Sequence, residues 1–382
     1  MSMFQYFPTN YVWNLSVNIA MTCQAKIGEI DQICRPLIEA SKNGDDGDTT
    51  AFFQAWCNKA DSLVARAEED VKVGRDLSAG SLYRRAWIYY IVAERMQSPD
   101  TPERQGAYDK AVDAFAKAVE YGKEKVQVVE VAYEETSYPA LFYPADGTDG
   151  PAPTMIFCNG LDSFKEMLYG TGIAHEFARR GINTLMVDQP GTGGAIRKRG
   201  LYGRHDSEVW AGAAVDHLQS RTDVDPDRIG MMGVSLGGYF APRAVAFEKR
   251  LKLCAVWGAN YNWGELQKRR LRREGENPVP HYWEHVQWVF DKHSLDEFMA
   301  WAPNMTLEGV AEKITVPFLV THGEDDKQIP MEFATPQYEN AVNSPARDFH
   351  LFTNDEGGSA HAGADNEAIG ASFISDWVKE HL

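Results

Sequence analysis

The chain has 382 residues, with 38 lysine and arginine residues against 55 aspartate and glutamate residues, a formal net charge of -17 and a hydrophobic share of 44%. That share is large enough for a substantial core and excludes a mainly disordered chain, and the acidity argues against binding to a nucleic-acid backbone, which requires a basic face. No apolar stretch reaches the ~18 residues of a membrane-spanning helix, so we expect no membrane partner.

The cysteines are scattered along the chain and include no Cys-x-x-Cys pair; they are Cys23, Cys34, Cys57, Cys158 and Cys254. An odd number of separated thiols predicts reduced cysteines, with neither a disulfide framework nor a zinc site. The N-terminal residues lack a basic segment followed by an apolar run, so we expect no signal peptide. Together these features predict a cytoplasmic protein.

Residues 1–122 carry the pattern of helices. Apolar residues recur at helical spacing between Leu82 and Ala93 and again between Tyr108 and Val119. We interpret this region as a helical cap that packs on a neighbouring domain. Its aromatic segment Tyr6 to Trp13 is a candidate contact in a homodimer, and packing within its own chain is the alternative.

After Gly122 the pattern changes to short β-rich runs that alternate with helical stretches. The predicted strands cover residues 126–131, 140–143, 154–158, 183–187, 228–232, 253–257, 317–321 and 348–352. Apolar runs of this kind suit strands buried on both faces, and their alternation with helices predicts an α/β domain over residues 123–382. The stretch 260–310, after the sixth strand, is rich in tryptophan and predicts a helical lid above the carboxyl edge of the sheet, where α/β proteins bind ligands.

One serine stands in a Gly-x-Ser-x-Gly motif, Gly233-Val234-Ser235-Leu236-Gly237. A predicted strand precedes the motif and a helical stretch follows it, which is the placement that a nucleophile elbow requires. The glycines allow a sharp backbone turn that lifts the hydroxyl of Ser235 out of the sheet. A simple turn with a capping serine is the alternative, and the strand–turn–helix context favours the nucleophile.

A serine hydroxyl is a weak nucleophile at neutral pH, so a base must accept its proton, and behind a nucleophile elbow an acid and then a histidine follow in chain order. Asp326, in the loop after the seventh strand, is the predicted acid, and Asp325 is the alternative. Among the later histidines, His350 lies inside the last predicted strand and His381 lies next to the C-terminus. His361 follows that strand in a loop of small residues and is the predicted base.

Acyl chemistry also needs hydrogen-bond donors for a developing oxyanion. The backbone N–H of Leu236, directly after the nucleophile, is one predicted donor. The second is the backbone N–H of Leu161, in the loop that follows the strand 154–158. An ordinary strand-to-helix turn is the alternative interpretation of that loop.

Five ordered motifs carry a resemblance; they are Asn159-Gly160-Leu161-Asp162, Asp188-Gln189-Pro190-Gly191-Thr192-Gly193, Gly233-Val234-Ser235-Leu236-Gly237-Gly238, the segment His322 to Pro330, and Gly357-Gly358-Ser359-Ala360-His361. With these motifs the chain resembles the α/β-hydrolase superfamily from about residue 126 to residue 382. The resemblance implies a mostly parallel eight-stranded sheet. The helical N-terminal region resembles the branch that holds dihydroxypseudooxynicotine hydrolase and the fungal yellowish-green pigment hydrolases.

The resembled branch implies a Ser-His-Asp hydrolase without metal or cofactor. Its small-molecule substrates are ketone-bearing aromatic or polyketide-like compounds, often cleaved at a carbon–carbon bond beside a carbonyl. A carboxylesterase or acyltransferase with the same triad is the alternative, and a non-catalytic ligand receptor on the same fold is a more distant one.

Carbon–carbon hydrolysis asks for more than ester cleavage, because the leaving carbanion must be protonated or held as an enolate, and an additional acid near the nucleophile would help. Glu265 follows the sixth strand closely, and members of the resembled branch can carry a carboxylate in this region, so Glu265 is a candidate for that acid. The alternative is an exposed glutamate at the start of a helix, where its charge suits the helix dipole.

Overall fold

The computed structural model describes residues 3–43, 49–272 and 280–382. The chain divides into two compact units. The α/β unit holds residues 127–272 and 286–382, and the helical unit holds residues 3–126 with the described part of residues 273–285. Residues 1–2 and 44–48 of the predicted cap region, and residues 273–279 of the predicted lid, lie outside the described residues.

The α-helices up to residue 126 are α1 (Tyr11–Thr22), α2 (Ile27–Cys34), α3 (Thr49–Lys72), α4 (Asp76–Glu94) and α5 (Pro102–Gly122). Those that follow are α6 (Lys165–Gly170), α7 (Ile173–Arg179), α8 (Gly193–Arg199), α9 (Glu208–Gln219), α10 (Gly237–Phe247), α11 (Trp263–Arg272), α12 (Tyr282–Val289), α13 (Leu295–Trp301), α14 (Thr335–Glu339) and α15 (Glu367–His381). Short 3-10 helices cover Arg35–Leu37, Ala40–Asn43, Ala302–Asn304, Ala311–Lys313, Met331–Phe333 and His361–Gly363. No helix among the described residues is long and apolar enough to span a membrane.

The strands are β1 (Gln127–Tyr133), β2 (Thr136–Tyr143), β3 (Ala152–Cys158), β4 (Asn183–Val187), β5 (Val224–Val234), β6 (Cys254–Trp257), β7 (Phe318–Gly323) and β8 (Arg347–Phe352). They form one eight-stranded sheet in the order β1-β2-β4-β3-β5-β6-β7-β8. β2 runs antiparallel to both of its neighbours, and the pairs from β4 through β8 are all parallel. The predicted α/β-hydrolase fold with a mostly parallel sheet is therefore confirmed.

The central strands of the sheet are covered on both faces. Every residue of β3, β4, β6 and β7 is buried, as expected for parallel strands between two helical layers. Because β3 to β8 point the same way, the loops after their carboxyl ends gather at one edge of the sheet. The loops that carry the predicted triad and oxyanion residues follow β3, β5, β7 and β8, so the topology brings them to this edge.

The helical unit has an aromatic core. The ring of Trp13 lies 5.3 Å from that of Phe7 and 4.9 Å from that of Phe52, which in turn lies 5.6 Å from Trp56. Phe7 and Trp13 are fully buried within the unit. These two rings pack on their own chain, which agrees with the alternative to the predicted contact between subunits. A homodimer stays a prediction.

A buried ion pair ties two helices and a distant segment together within the helical unit. Arg104 of α5 donates from Nε to Glu94 of α4 at 2.8 Å and from Nη1 to the carbonyl of Gln97 at 3.0 Å. Its Nη2 lies 3.1 Å from Nδ1 of His285, in α12. A charge buried at this depth needs such partners, so the contact fixes the start of α12 to α5. The stretch 260–310 holds α11, α12 and α13, and its action as a lid stays a prediction.

Candidate active site

Ser235 occupies a sharp turn between β5 and α10. Its φ of 58° lies in the left-handed region. This backbone conformation is strained for a residue with a side chain and persists only where the surrounding structure holds it. The N–H of Ser235 donates to the carbonyl of Trp257 at 3.0 Å, and its own carbonyl accepts from the N–H of Gly238 at 2.8 Å. A Cβ on Gly233 would lie 2.1 Å from the carbonyl oxygen of Gly237. The motif therefore requires glycine there, as a nucleophile elbow does.

Three predicted residues from three loops meet in one hydrogen-bonded chain. Nε2 of His361 lies 2.9 Å from Oγ of Ser235, and Nδ1 of His361 lies 2.8 Å from Oδ2 of Asp326. An ionised carboxylate can only accept, so Nδ1 of His361 carries the hydrogen and Nε2 is left to accept the hydroxyl proton of Ser235. This tautomer is the one that can act as a general base toward the serine.

Asp326 is held as a buried carboxylate. Its Oδ1 accepts from the N–H groups of Gln328 at 2.8 Å and Ile329 at 2.9 Å, and its side chain is 1% exposed. Burial alone would raise the pKa of Asp326, but the adjacent His361 and these hydrogen bonds bring that pKa below its ordinary value. The acid whose carboxylate bonds His361 is thus Asp326. The alternative acid, Asp325, donates its backbone N–H to the carbonyl of Ser359 at 2.9 Å.

A second histidine, His322, lies close to Asp326 and bonds the backbone of two loops. Nδ1 of His322 accepts from the N–H of Ala259 at 3.2 Å, and Nε2 donates to the carbonyl of Ile329 at 2.9 Å. Burial lowers the pKa of His322, against the opposing effect of Asp326, whose Oδ2 lies 3.8 Å from Nε2. His322 is therefore neutral and links the loops after β6 and β7. Its position at the carboxyl end of β7 is visible in the sequence, but its contact with both loops was not predicted.

The loop before His361 is organised by one carboxylate. Asp365 accepts from the N–H groups of Gly358 at 2.9 Å, Ser359 at 3.2 Å and Ala360 at 2.8 Å. Three backbone donors on one side chain hold this small-residue loop in a single conformation. Asp365 thereby positions His361, a function that spacing in the sequence did not indicate.

The loop after β3 passes directly over the nucleophile. A Cβ on Gly160 would lie 2.9 Å from Cβ and 3.2 Å from Oγ of Ser235, so only glycine allows this approach. Leu161 follows in the same loop. Leu236 stands at the N-cap of α10, where the first N–H groups of a helix have no intrahelical acceptor. Oxyanion binding by Leu161 and Leu236 stays a prediction.

A buried charge cluster lies at the carboxyl end of β4. Asp188 accepts from the backbone N–H groups of Lys165 at 2.7 Å and Gly194 at 2.8 Å, and the ammonium of Lys165 lies 3.3 Å from it. The same ammonium donates to Oε1 of Glu166 at 2.6 Å. All three charged side chains are at most 5% exposed. Adjacent opposite charges in a sequence are typical of a solvated helix start, so the burial of this cluster could not be predicted from the sequence.

Two carboxyl groups share one ammonium in this cluster, and a net negative charge at such depth is costly. Burial raises the pKa of Glu166, and the neighbouring Asp188 adds to the rise, against the charge of Lys165. Oε2 of Glu166 is buried and has no hydrogen-bond partner among the described residues. Asp188 accepts two backbone hydrogen bonds in addition to its contact with the ammonium, whereas Glu166 accepts from that ammonium at Oε1.

Glu265 lies on the first turn of α11, where its N–H donates to Oδ1 of Asn262 at 2.9 Å. Its carboxylate is 41% exposed and pairs with Arg272 at 3.2 Å and Lys268 at 3.4 Å. Burial alone would raise the pKa of Glu265, but hydrogen bonds from Arg272 and Lys268 outweigh it and lower the pKa. An ionised, paired carboxylate is a poor proton donor. These contacts favour the helix-start interpretation over the predicted catalytic acid.

We expect the substitution Glu265→Gln to leave turnover within about 2-fold of the wild type, because exposed ion pairs contribute little. Steady-state rates on an ester and on a ketone substrate check this. A selective loss of ketone cleavage would restore Glu265 as the additional acid.

No group of three or more histidine, cysteine, aspartate or glutamate side chains within residues 3–43, 49–272 and 280–382 is arranged to hold a metal ion. The cysteines are free, and burial raises the pKa of the Cys158 and Cys254 thiols. Cys158 and Cys254 are therefore packing residues.

The sheet topology and the linked serine, histidine and aspartate define an α/β hydrolase. The family model described as Esterase FrsA-like matches residues 50–263, and the model described as Prolyl oligopeptidase family matches residues 174–382. Each match spans more than half of the chain. The chain therefore belongs to the α/β-hydrolase superfamily, within the families that these two models describe.

Relatives extend over most of the chain. Hydrolase acrC of Aspergillus aculeatus is 26% identical, over 100% of this chain and 98% of its own length. The 2,6-dihydropseudooxynicotine hydrolase of Paenarthrobacter nicotinovorans is 27% identical, over 80% of this chain and 78% of its own. The crystal structure of the 2,6-dihydroxy-pseudo-oxynicotine hydrolase superposes with a TM-score of 0.76 at 23% identity, covering 96% of this chain and 95% of that one. This likeness shows that the two proteins share a fold.

Proposed function

We propose that the protein is a serine hydrolase in which Ser235 attacks a carbonyl carbon, His361 transfers protons and Asp326 orients His361. The observation that supports it most is the continuous chain from Asp326 through His361 to Ser235, with both hydrogen bonds under 3.0 Å. The N–H groups of Leu161 and Leu236 would hold the oxyanion. These steps need no metal or cofactor.

The proposed substrate is an aromatic or polyketide-like ketone, cleaved at the carbon–carbon bond beside a carbonyl. Oγ of Ser235 bonds the carbonyl carbon while His361 takes the hydroxyl proton. The tetrahedral adduct then expels the adjacent carbon as an enolate, which takes up one proton to give a ketone. Water hydrolyses the acyl-serine to a carboxylic acid and restores Ser235. Support comes from the relative that is named 2,6-dihydropseudooxynicotine hydrolase and from the motifs that resemble its branch.

Glu166 is the proposed proton donor to the leaving enolate. Its cluster partner Asp188 lies at the end of β4, with Oδ1 3.5 Å from Nδ2 of Asn159, the residue before Gly160. The cluster therefore adjoins the loop that passes over Ser235. Burial raises the pKa of Glu166, and a carboxyl group in its neutral form has the protonation state that enolate capture requires.

We expect Glu166→Gln to lower the cleavage of a 1,3-diketone by about 10²-fold or more. Ester cleavage should fall much less, because an alkoxide leaving group receives its proton from His361. Initial rates on an aryl ester and a matched aryl 1,3-diketone measure the difference. The control is Glu265→Gln, the same change of an acid to an amide on an exposed side chain. Equal losses on both substrates would refute the role of Glu166.

A carboxylesterase or acyltransferase is the second candidate. The match to the model described as Esterase FrsA-like over residues 50–263 favours it, and the triad serves both reactions equally. A non-catalytic ligand receptor is a third and weaker candidate, because a receptor has no need of the linked Ser235, His361 and Asp326.

Product analysis by mass spectrometry distinguishes these candidates. The protein is incubated with a matched aryl ester and aryl 1,3-diketone, and Ser235→Ala serves as the blank. Cleavage of the diketone into acid and ketone that depends on Ser235 would support carbon–carbon hydrolysis. Cleavage of the ester alone would favour the esterase. No cleavage of either substrate and no reaction with a fluorophosphonate probe would favour the receptor.

A further inference from the structure

The motif Asp188-Gln189-Pro190-Gly191-Thr192-Gly193 contains a side chain, that of Gln189, that bonds the loop after β3 and has no part in the proposed mechanism. Oε1 of Gln189 accepts from the N–H of Asn159 at 3.1 Å, and Nε2 of Gln189 donates to the carbonyl of Asn159 at 2.9 Å. One side-chain amide thus satisfies both backbone groups of one residue. Gln189 and Asn159 are both fully buried, so water cannot replace these bonds without cost.

Gln189 is itself fixed on a tight turn. Its carbonyl accepts from the N–H of Thr192 at 3.0 Å and from Oγ1 of Thr192 at 2.8 Å. The turn contains Gly191, with a φ of 95°, a conformation that glycine adopts at no steric cost. The amide of Gln189 therefore projects from a rigid base.

Asn159 is held from its side chain as well. Its Nδ2 donates to the carbonyl of Val187 at 2.7 Å. The residue after β3 is thus fastened to the end of β4 through both its backbone and its side chain. The next residue, Gly160, lies against Ser235, and Leu161 follows. Any shift of Asn159 would therefore move Gly160 and Leu161 as well. We name the segment Asn159 to Leu161 the oxyanion loop.

We infer that Gln189 is a positioning residue that sets the distance between the oxyanion loop and Ser235. This inference rests on the proposed hydrolase function. Hydrogen-bond donors stabilise the oxyanion of the transition state more than they stabilise the carbonyl of the bound substrate. Their alignment therefore matters more for the oxyanion. Loosening the loop should therefore weaken binding of the transition state and leave binding of the substrate nearly unchanged.

The test compares Gln189→Met with a matched variant, Asn14→Leu. Asn14 is also buried and also bonds both backbone groups of one residue, accepting from the N–H of Phe7 at 2.8 Å and donating to the carbonyl of Phe7 at 2.6 Å. Its loss removes the same number of buried hydrogen bonds within the helical unit, without touching the oxyanion loop or the turn that carries Ser235. The readouts are kcat and KM on an aryl ester, the affinity for an aryl trifluoromethyl ketone, the pH profile of kcat and the Tm.

We expect Gln189→Met to lower kcat by about 10-fold to 100-fold, with KM within about 3-fold, since misplacing or losing one oxyanion donor has effects of this order. Affinity for the trifluoromethyl ketone, which forms a tetrahedral adduct on Ser235, should fall by a similar factor. The pH profile should keep its shape, because Asp326 and His361 are untouched. Asn14→Leu should lower Tm but keep kcat within about 3-fold of the wild type.

An unchanged kcat in Gln189→Met would overturn the inference, as would an equal loss of kcat in Asn14→Leu. If Gln189→Met does not fold, Gln189→Glu is measured in its place. It keeps the acceptor for the N–H of Asn159 and sets a carboxyl oxygen against the carbonyl of Asn159, so the same selective loss of kcat is expected. A wild-type protein without turnover that depends on Ser235 would instead refute the proposed hydrolase function.

Discussion

Replacing Ser235 with alanine is expected to lower kcat by roughly 10⁴-fold to 10⁶-fold on every hydrolysed substrate, because loss of the nucleophile in a triad removes nearly all of its covalent catalysis. The residual rate would come from the oxyanion donors and from substrate binding. Alanine meets the same backbone strain as serine at a φ of 58°, so the fold should persist. Steady-state rates and the Tm of the variant check both parts.

An unaltered Tm with the activity lost would separate catalysis from folding. If Ser235→Ala kept more than about a tenth of the wild-type rate, Ser235 could not be the nucleophile, since uncatalysed water attack cannot replace it at that speed.

Replacing Asp326 with asparagine is expected to lower kcat by about 10⁴-fold. Oδ1 of the asparagine can still accept from the N–H groups of Gln328 and Ile329, so the turn is kept. Its amide then presents a donor to Nδ1 of His361. The imidazole is forced into the tautomer with hydrogen on Nε2, which cannot accept the proton of Ser235.

The control for this change is Asp325→Asn, one position earlier in the same loop. It makes the same loss of charge beside the site, and we expect it to retain kcat within about 3-fold, because the triad hydrogen bond comes from Asp326. The reverse pattern, with Asp325→Asn inactive and Asp326→Asn active, would assign the acid to Asp325. Rates measured across a pH range for both variants distinguish the two outcomes.

The strands could be predicted from the sequence because most are short apolar runs between turns. β4 was predicted with its observed bounds, Asn183–Val187. β5 was predicted over 228–232 but extends from Val224 to Val234. Its first part contains exposed polar residues and a proline, and a pattern based on burial does not register such positions as strand.

The order of the triad could also be predicted, because fold topology fixes which loops reach the edge of the sheet. The choice between Asp325 and Asp326 could not, since neighbouring residues differ only in which one a turn directs inward. That turn depends on backbone donors that sequence spacing does not reveal.

Glu265 as an additional acid stays a prediction. The sequence offers a helix start as the alternative, but the direction of the side chain depends on its pairing with Lys268 and Arg272. Burial of Lys165 and Glu166 depends on how α6 packs on the sheet, which no local pattern records.

The most direct test of the proposed chemistry is mass spectrometry of the protein after rapid acid quenching of its reaction with an aryl 1,3-diketone. We expect an added acyl group, of the mass of the carboxylic acid product less water, on the peptide that contains Ser235. We also expect Ser235→Ala to form neither this adduct nor the products. Formation of acid and ketone at the wild-type rate by Ser235→Ala, or an acyl group on another residue, would contradict this chemistry.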